Sequence, residues 1–148
     1  MDEYYIKLAI KEAKKSLLTN DVPVGAIIVD SNGNIISKTH NSKEKNQSVI
    51  DHAEIIAINK ANKKTNNWHL DDCTIYVTLE PCMMCTGAII ESRIKRLVYG
   101  TTSPKYGYIE SVEHRVTDPQ KSNLQVTSNI CKKDCENLLK KFFKTLRS

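Results

Sequence analysis

Two short clusters of potential metal ligands most constrain how this chain can fold. The first is His-Ala-Glu at residues 52–54, and the second is Pro-Cys-Met-Met-Cys at residues 81–85. Cys82 and Cys85 are three positions apart, and residues at that spacing lie on one face of an α-helix. Pro81 is tolerated in a first helical turn, because its missing N–H would be unpaired there. Both sulfurs can therefore reach one ion at the start of a helix.

The ligand types in the two clusters indicate zinc. Zn²⁺ is held well by one imidazole nitrogen and two thiolates, and three protein ligands leave the fourth tetrahedral position open to water. We therefore expect His52, Cys82 and Cys85 to bind one zinc ion per chain. A carboxylate beside the metal but not bonded to it can act as general base and then as general acid. Glu54 is the candidate for that role.

Helix geometry limits where Glu54 can lie. Positions i and i+2 diverge by about 200° on a regular α-helix, so His52 and Glu54 would normally face opposite ways. Only a site at the very end of the helix, with His52 near the N-cap, lets both residues face the metal. In that case two helix N-termini point at the site, and their partial positive charge favours thiolates.

Other interpretations of the cysteines remain open. A Cys-x-x-Cys pair alone is also common in structural zinc half-sites and redox pairs, so a zinc-stabilised binding module without catalysis is a remote alternative. The order of the two clusters, with a strand before the second, favours a catalytic site. Cys73 is expected to be a small buried hydrophobic residue. Cys131 and Cys135 have the spacing to hold a second metal, but no histidine lies near them in the sequence.

Hydrophobic periodicity predicts alternating strands and helices. Helices are expected over residues 3–19, 52–63, 82–92 and 131–145, and strands over 25–29, 34–38, 74–78, 96–100 and 124–127. Asn-Gly at residues 32–33 predicts a hairpin between the first two strands. This order is typical of an α/β fold with a partly parallel sheet. We therefore predict a three-layer α/β/α fold with a mixed, about five-stranded sheet, and both metal-bearing helices on the same side.

Length and charge favour one small enzyme domain. A chain of 148 residues buries roughly 70% of its extended surface, so we expect a single domain over residues 1–148. No apolar run approaches 18 residues, and the N-terminal segment is charged, so we expect no membrane span and a cytoplasmic protein. The net charge is +5, and most of the excess lies in the last 18 residues. That basic, phenylalanine-containing segment suits single-stranded nucleic acid, although a solvated helix packed on the core is the simpler interpretation.

Three stretches of the sequence resemble one known family. They are Val-Pro-Val-Gly-Ala at residues 22–26, His-Ala-Glu at 52–54, and Tyr-Val-Thr-Leu-Glu-Pro-Cys-Met-Met-Cys-Thr-Gly-Ala at 76–88. The two metal clusters form a known signature of zinc-dependent nucleobase deaminases. With a weaker match at residues 142–147, the chain resembles the bacterial tRNA-specific adenosine deaminases of the cytidine-deaminase superfamily.

The resemblance implies a hydrolase and a set of residue roles. The fold would be cytidine-deaminase-like, and the reaction would convert the wobble adenosine of a tRNA anticodon stem-loop to inosine in a homodimer. The carried-over roles are metal binding by His52, Cys82 and Cys85, proton transfer by Glu54, purine contact by Asn41, an approach to the reacting centre by the Cys82 amide, and base stacking or loop packing by Phe142.

Some positions depart from the family pattern. Ser103 stands where the family usually has an acidic residue that contacts a ribose, and residues 106–121 share little with the family. Asp51 places an additional carboxylate next to His52. These changes keep the deamination chemistry but affect the rim that would face RNA. A deaminase of a free nucleobase or nucleoside, of guanine, cytosine or adenosine type, is therefore the alternative.

Overall fold

The computed structural model describes residues 1–110 and 123–147. Helices and strands alternate along these residues as the sequence predicts. In chain order the elements are α1 (Asp2–Ala13), a 3₁₀ turn (Lys14–Thr19), β1 (Gly25–Val29), β2 (Ile35–His40), α2 (Lys43–Asn46), α3 (Ala53–Thr65), β3 (Thr74–Leu79), α4 (Met83–Glu91), β4 (Arg96–Thr101), β5 (Gln125–Thr127) and α5 (Lys132–Arg147).

The five strands form one mixed sheet in the order β2-β1-β3-β4-β5. β1 is antiparallel to β2 and β3, whereas β3, β4 and β5 run parallel. The predicted hairpin joins β1 to β2, and Gly33 has a φ of 83° in its turn. Asp30 supports the turn because its Oδ1 accepts hydrogen bonds from the backbone N–H groups of Asn32 and Asn34.

Helices cover both faces of the sheet, which confirms the predicted α/β/α arrangement. Alternate residues of a strand point to opposite faces, and β1 shows this directly. Ile28 packs in the core beneath α3 and α4, whereas Ile27 packs in the core formed with α1. Cys135 of α5 belongs to that second core. The two helices that follow the predicted metal clusters therefore lie on the same side of the sheet.

The N-terminal helix ends earlier than the sequence predicts. The α-helix stops at Ala13, and the chain continues as a 3₁₀ turn that ends at Asn20, with φ 58°. A 3₁₀ turn advances by about 3.0 residues per turn instead of 3.6. The apolar stripe therefore rotates out of register, so that Leu17 is 40% exposed while Ser16 is fully buried. The Ser16 hydroxyl donates a hydrogen bond to the Asn41 carbonyl at 2.8 Å.

The helix that carries the two cysteines begins one residue later than its predicted start at residue 82, so Pro81 is not in its first turn. Cys82 is the N-cap of α4, with extended backbone angles, and the helix begins at Met83. Proline disfavours helical angles in the residue before it, whereas its own φ suits the extended segment that leaves β3. The predicted fifth strand and C-terminal helix are both present, with bounds shifted by one or two residues. Within the described residues, no helix is long and apolar enough to span a membrane.

Candidate active site

The carboxyl ends of three strands converge on one edge of the sheet. β2 ends at His40, which pairs with the first residue of β1, and β3 and β4 end side by side at Leu79 and Thr101. The loops that follow these strand ends carry the candidate site residues. Open α/β sheets commonly place ligands beyond the carboxyl ends of their strands. The fold therefore brings together groups that are far apart in the sequence.

His52 and Cys82 occupy equivalent positions at the starts of two helices. His52 is the N-cap of α3 and Cys82 is the N-cap of α4, and both have extended backbone angles. Cys85 lies in the first turn of α4 and is fully buried. The N-cap position of His52 meets the condition that helix geometry sets for His52 and Glu54 to share a site. Both helix N-termini also add partial positive charge beside the sulfurs.

The side chains of His52, Cys82 and Cys85 meet closely enough to hold one ion. Their ligand atoms all lie within 4.8 Å of one another, and they form the only such group of metal-ligand side chains among the described residues. His52 Nδ1 is 3.7 Å from Cys82 Sγ and 3.5 Å from Cys85 Sγ. Tetrahedral zinc, with Zn–S of about 2.3 Å and Zn–N of about 2.0 to 2.1 Å, requires N···S separations of about 3.5 to 3.6 Å. The donor set therefore fits zinc in both type and spacing.

The environment favours a thiolate within this group. The hydrogen bond from the Cys85 thiol, together with the His52 ring, lowers the pKa of Cys82 to about 4. In return, the hydrogen bond to Cys82 raises the pKa of His52, and the hydrogen bond to Cys82 together with burial raises the pKa of Cys85. Cys82 is thus the cysteine whose surroundings favour the thiolate. Thiolate is the form in which cysteine binds metals.

Glu54 lies beside the three potential ligands but outside their group. It is the second residue of α3, is only 4% exposed, and lines the same cavity as His52 and Cys82. Burial raises the pKa of Glu54 to about 7, with smaller opposing contributions from a backbone hydrogen bond and from His52. A carboxyl group with a pKa near neutral can both take up and release protons at physiological pH.

Asn41 lies directly after β2 and is held on two sides. Its backbone N–H donates to the Val24 carbonyl at 3.0 Å, and its Oδ1 accepts the backbone N–H of Ala53 at 2.8 Å. The side-chain oxygen thus satisfies the first N–H of α3, next to His52. No hydrogen bond within the described part of the chain uses the amide N–H groups of Asn41. They remain available as donors to a group in the cavity, which Asn41 also lines.

A cavity of about 760 Å³ opens above the three potential ligands. One wall comes from the start of β1 and the loop after β2, a second from the segment after β4, and a third from α5. The lining residues are Val22, Val24, Asn41, Lys43, His52, Glu54, Leu79, Glu80, Cys82, Thr102, Ser103, Pro104, Lys105, Tyr106, Leu139 and Phe143. The volume is typical of a small-molecule or single-nucleotide site.

The two phenylalanines of α5 have different environments. Phe142 is buried, with 7% of its surface exposed, and it is absent from the cavity wall; its role in substrate binding stays a prediction. Phe143 is 42% exposed and lines the cavity together with Leu139. Leu139 and Phe143 have i, i+4 spacing, which places them on one face of α5. Leu138 and Phe142 have the same spacing, so the sequence alone does not show which of the two rings lines the cavity.

Asp51 and Ser103, two of the positions that depart from the family pattern, each take part in a hydrogen bond with a nearby residue. The Asp51 carboxylate accepts a hydrogen bond at 2.8 Å from the side chain of Asn46, the last residue of α2. The backbone N–H of Ser103 donates to the Glu80 carboxylate at 3.0 Å. Residues 111–121 of the segment that departs from the family lie outside the described residues.

The remaining cysteines show no second metal group within the described residues. Cys73 is buried, as the sequence predicts, and Cys135 is 1% exposed in the core beneath α5. Cys131 is only partly exposed and has a φ of 54°, just before α5 begins. For the Cys82 amide, no hydrogen bond to another described residue occurs, and its approach to the reacting centre stays a prediction.

Comparisons with known proteins agree with this geometry. Residues 1–101 match the family described as the cytidine and deoxycytidylate deaminase zinc-binding region. The tRNA-specific adenosine deaminase of Bacillus subtilis (strain 168) is 41% identical over 99% of this chain and 91% of its own length. That of Rickettsia bellii (strain RML369-C) is 44% identical over 94% of this chain and 97% of its own length.

A solved structure shares the fold closely. It comes from a study of A-to-I editing by tRNA:A34 deaminases at the wobble position of transfer RNA. It superposes with a TM-score of 0.86 at 34% identity and covers 92% of this chain and 99% of that one. The chain therefore belongs to the zinc-binding cytidine and deoxycytidylate deaminase family and, within it, to the family of the tRNA-specific adenosine deaminases.

Proposed function

We propose that this protein is a zinc-dependent hydrolase that converts the wobble adenosine of a tRNA anticodon to inosine and releases ammonia. The observation that carries the proposal is the convergence of His52, Cys82 and Cys85 at two helix N-termini with Glu54 buried beside them. A structural zinc site has no use for such a carboxylate. The tRNA-specific adenosine deaminases, 41% identical over nearly the whole chain, supply the substrate class.

The three potential ligands would hold one zinc ion per chain. When bound, zinc acts as a Lewis acid that makes water a usable nucleophile at neutral pH. His52, Cys82 and Cys85 contribute one neutral and two anionic donors, and the N-termini of α3 and α4 offset part of that negative charge. These three residues would hold the ion at the end of the cavity that His52 and Cys82 line.

Glu54 would move the protons of the reaction. Deamination of adenine transfers the two protons of the attacking water in turn, the first to a ring nitrogen and the second to the departing amine, so that a carbonyl group and ammonia are formed. Burial raises the pKa of Glu54 to about 7, so the carboxyl group can accept the first proton and then donate. Catalytic carboxyl groups are commonly tuned in this way by desolvation.

Asn41 would orient the purine. Because its Oδ1 is engaged with the Ala53 N–H, the side chain is fixed and presents its amide N–H groups as donors. A purine has ring nitrogens that accept such hydrogen bonds. The cavity of about 760 Å³ accommodates one unstacked base, which is how bases of single-stranded RNA loops are recognised.

The mouth of the cavity has the chemistry of a single-stranded RNA site. Lys43 and Lys105 supply positive charge for phosphates, and the rings of Tyr106 and Phe143 offer surfaces on which bases can stack. Lys144 is adjacent to Phe143, on the basic C-terminal helix. A free nucleobase would have no phosphates to engage these cations. We therefore favour RNA over the small-molecule alternative.

We further propose a homodimer that acts in the cytoplasm. Large apolar side chains beside the metal-bearing helices are exposed: Val49 by 74%, Ile50 by 52% and Met83 by 66%. A second copy of this chain would cover them, as the family resemblance implies. All five cysteines are free thiols, which suits a reducing compartment. Sedimentation should give about twice the chain mass of 16.8 kDa, and a monomer at micromolar concentration would contradict the dimer.

The direct test is deamination of an anticodon stem-loop RNA. Zinc-loaded protein is incubated with a stem-loop that carries adenosine at the wobble position, and inosine is quantified by nucleoside chromatography. Adenosine, guanine and cytosine are assayed in parallel for ammonia release. We expect inosine in the RNA, with an apparent KM that rises steeply between about 50 and 200 mM salt, because phosphate contacts release counterions. Salt-independent turnover of a free base, with no inosine in the RNA, would instead establish the small-molecule alternative.

A further inference from the structure

A second buried glutamate lies two residues before Cys82 and has no role in the proposed chemistry. Glu80 is 2% exposed, and its carboxylate accepts three backbone hydrogen bonds. Oε1 accepts the N–H of Ser103 at 3.0 Å, and Oε2 accepts the N–H groups of Ile109 and Glu110 at 3.0 and 2.7 Å. A single side chain thus joins the segment that leads to Cys82 and Cys85 to both ends of residues 103–110.

Gly107 packs directly against this carboxylate. A Cβ atom at position 107 would lie 2.3 Å from the Glu80 carboxyl carbon, which is far inside the contact distance. Two backbone hydrogen bonds reinforce the contact: Tyr108 N–H donates to the Pro81 carbonyl at 2.9 Å, and Gly107 N–H donates to the Ser103 carbonyl at 2.7 Å. The segment from residue 103 to residue 110 is therefore folded around one fixed acceptor.

The residues enclosed by these contacts form the outer wall of the cavity. Pro104, Lys105 and Tyr106 lie between the two anchor points and all line the cavity. Tyr106 is 64% exposed, and the Lys105 ammonium lies 5.4 Å from the centre of its ring. A cation and an exposed ring at a cavity mouth are suited to a phosphate and a stacked base. If the target base enters this cavity, the nucleotides that flank it would meet these groups.

We infer that Glu80 is a positioning residue for RNA binding: its carboxylate holds the 104–106 tip in the conformation that contacts the nucleotides flanking the reacting base. The inference rests on the proposed RNA substrate and concerns affinity rather than chemistry. Without the anchor, the tip would have to be ordered each time RNA binds, and that loss of conformational freedom weakens binding. The proton transfers at Glu54 would be unaffected.

The Glu80 carboxylate also fixes the backbone at Ser103, whose N–H donates to it. Lys105 and Tyr106 are both exposed, and they are the groups of this wall that would contact RNA.

The test uses Glu80→Gln in the zinc-loaded, full-length protein with the stem-loop substrate. Glutamine keeps the volume of the side chain but replaces one acceptor oxygen by an N–H₂ group, which would face a backbone N–H. We expect the KM for the stem-loop to rise by about 10- to 100-fold, the range that corresponds to one lost charge-assisted hydrogen bond. The kcat should stay within about threefold of wild type, and zinc should remain at one ion per chain.

A second pair of variants separates positioning from general damage. Gly107→Ala disturbs the same contact from the opposite side and should reproduce the KM effect. Lys105→Ala should raise KM in the wild-type background but add little in the Glu80→Gln background, because interacting residues are not additive. Glu91→Gln, which removes the same charge at an exposed position of α4, is the control and should behave as wild type.

The outcomes separate the inference from the proposed function. If wild-type protein leaves the stem-loop unmodified, the proposed function fails. If wild type is active, three results would overturn the inference alone: an unchanged KM in Glu80→Gln and Gly107→Ala, a loss confined to kcat or zinc content, or full additivity with Lys105→Ala. Should Glu80→Gln be insoluble, Gly107→Ala and its combination with Lys105→Ala give the same decision.

Discussion

Replacing Glu54 with glutamine should abolish turnover while leaving the metal in place. The substitution keeps the volume of a side chain that is 4% exposed, so packing around α3 should be preserved. What it removes is the ability to take up and release a proton. Loss of a positioned general acid–base group costs about 10²- to 10⁴-fold in rate, which corresponds to about 2.7 to 5.5 kcal/mol of transition-state stabilisation.

The same substitution should stabilise the metal-free protein at alkaline pH. Burial raises the pKa of Glu54 from 4.5 to about 7, so in the folded state the charged carboxylate is disfavoured. The free-energy cost of burying the ionised Glu54 carboxylate is absent below the unfolded-state pKa. It grows as the pH rises towards 7, and it reaches its full value above 7. A shift of that size corresponds to about 3 kcal/mol. Urea denaturation of metal-free Glu54→Gln should therefore show higher stability than wild type at pH 8, with a difference that shrinks towards pH 5.

The assays are inosine formation in the stem-loop, zinc content per chain, and unfolding. Glu91→Gln serves as the matched control, since it is the same change at an exposed position. The assignment of Glu54 as proton carrier would be refuted if the variant kept more than about a tenth of the wild-type kcat. Loss of zinc from the variant would show instead that Glu54 is a ligand. If metal-free Glu54→Gln were less stable than wild type at pH 8, burial of the charged Glu54 carboxylate would not carry the free-energy cost that its raised pKa implies.

Three further changes test other parts of the structure. Asn41→Asp keeps an acceptor for the Ala53 N–H but removes the amide donors, so zinc content should be unchanged while kcat/KM for the stem-loop falls by about 10-fold or more; an unchanged kcat/KM would show that Asn41 does not contact the base. His52→Ala should weaken zinc binding by more than about 100-fold, measured by competition with a chromophoric chelator, and retention of zinc would contradict the ligand set. The hydrogen bond from Arg96 lowers the pKa of Asp2, so that contact stabilises the fold above the unfolded-state pKa and is lost as the pH falls through the lower folded value. Asp2→Asn should therefore lower Tm at pH 7, and the loss should shrink as the pH falls below the unfolded-state pKa of 3.8; a loss of the same size at every pH would refute this origin.

The convergence of His52, Cys82 and Cys85 was predictable because few residue types bind zinc together and because their local spacing is informative. Few residue types bind zinc, and the Cys82–Cys85 spacing together with a histidine in the N-cap of a second helix restricts the geometry further. Strands such as β3 were also recognisable, because β-branched and aromatic residues cluster between polar loops. In both cases the information lies within a few residues of the feature.

Features that depend on tertiary packing were harder to foresee. The 3₁₀ turn at residues 14–19 follows from where Ser16 finds its buried hydrogen-bond acceptor, the Asn41 carbonyl, on a distant loop. Which of Phe142 and Phe143 lines the cavity depends on how α5 is rotated against the sheet. The sequence cannot decide this, because both positions carry the same aromatic side chain. The role of Glu80 requires knowledge that residues more than twenty positions later fold back onto it. No local pattern encodes these long-range contacts.

The two buried glutamates of the site have different surroundings, and these suit them to different roles. Glu54 is buried beside thiols and an imidazole, and desolvation dominates its ionisation, so its proton is mobile near neutral pH. Glu80 is equally buried, but three backbone N–H donors converge on its carboxylate and require an acceptor there. A group that exchanges protons cannot also anchor backbone amides, because protonation would turn one acceptor into a donor. In the proposed reaction, separating the two tasks would let the wall formed by residues 104–106 stay fixed while Glu54 takes up and releases protons.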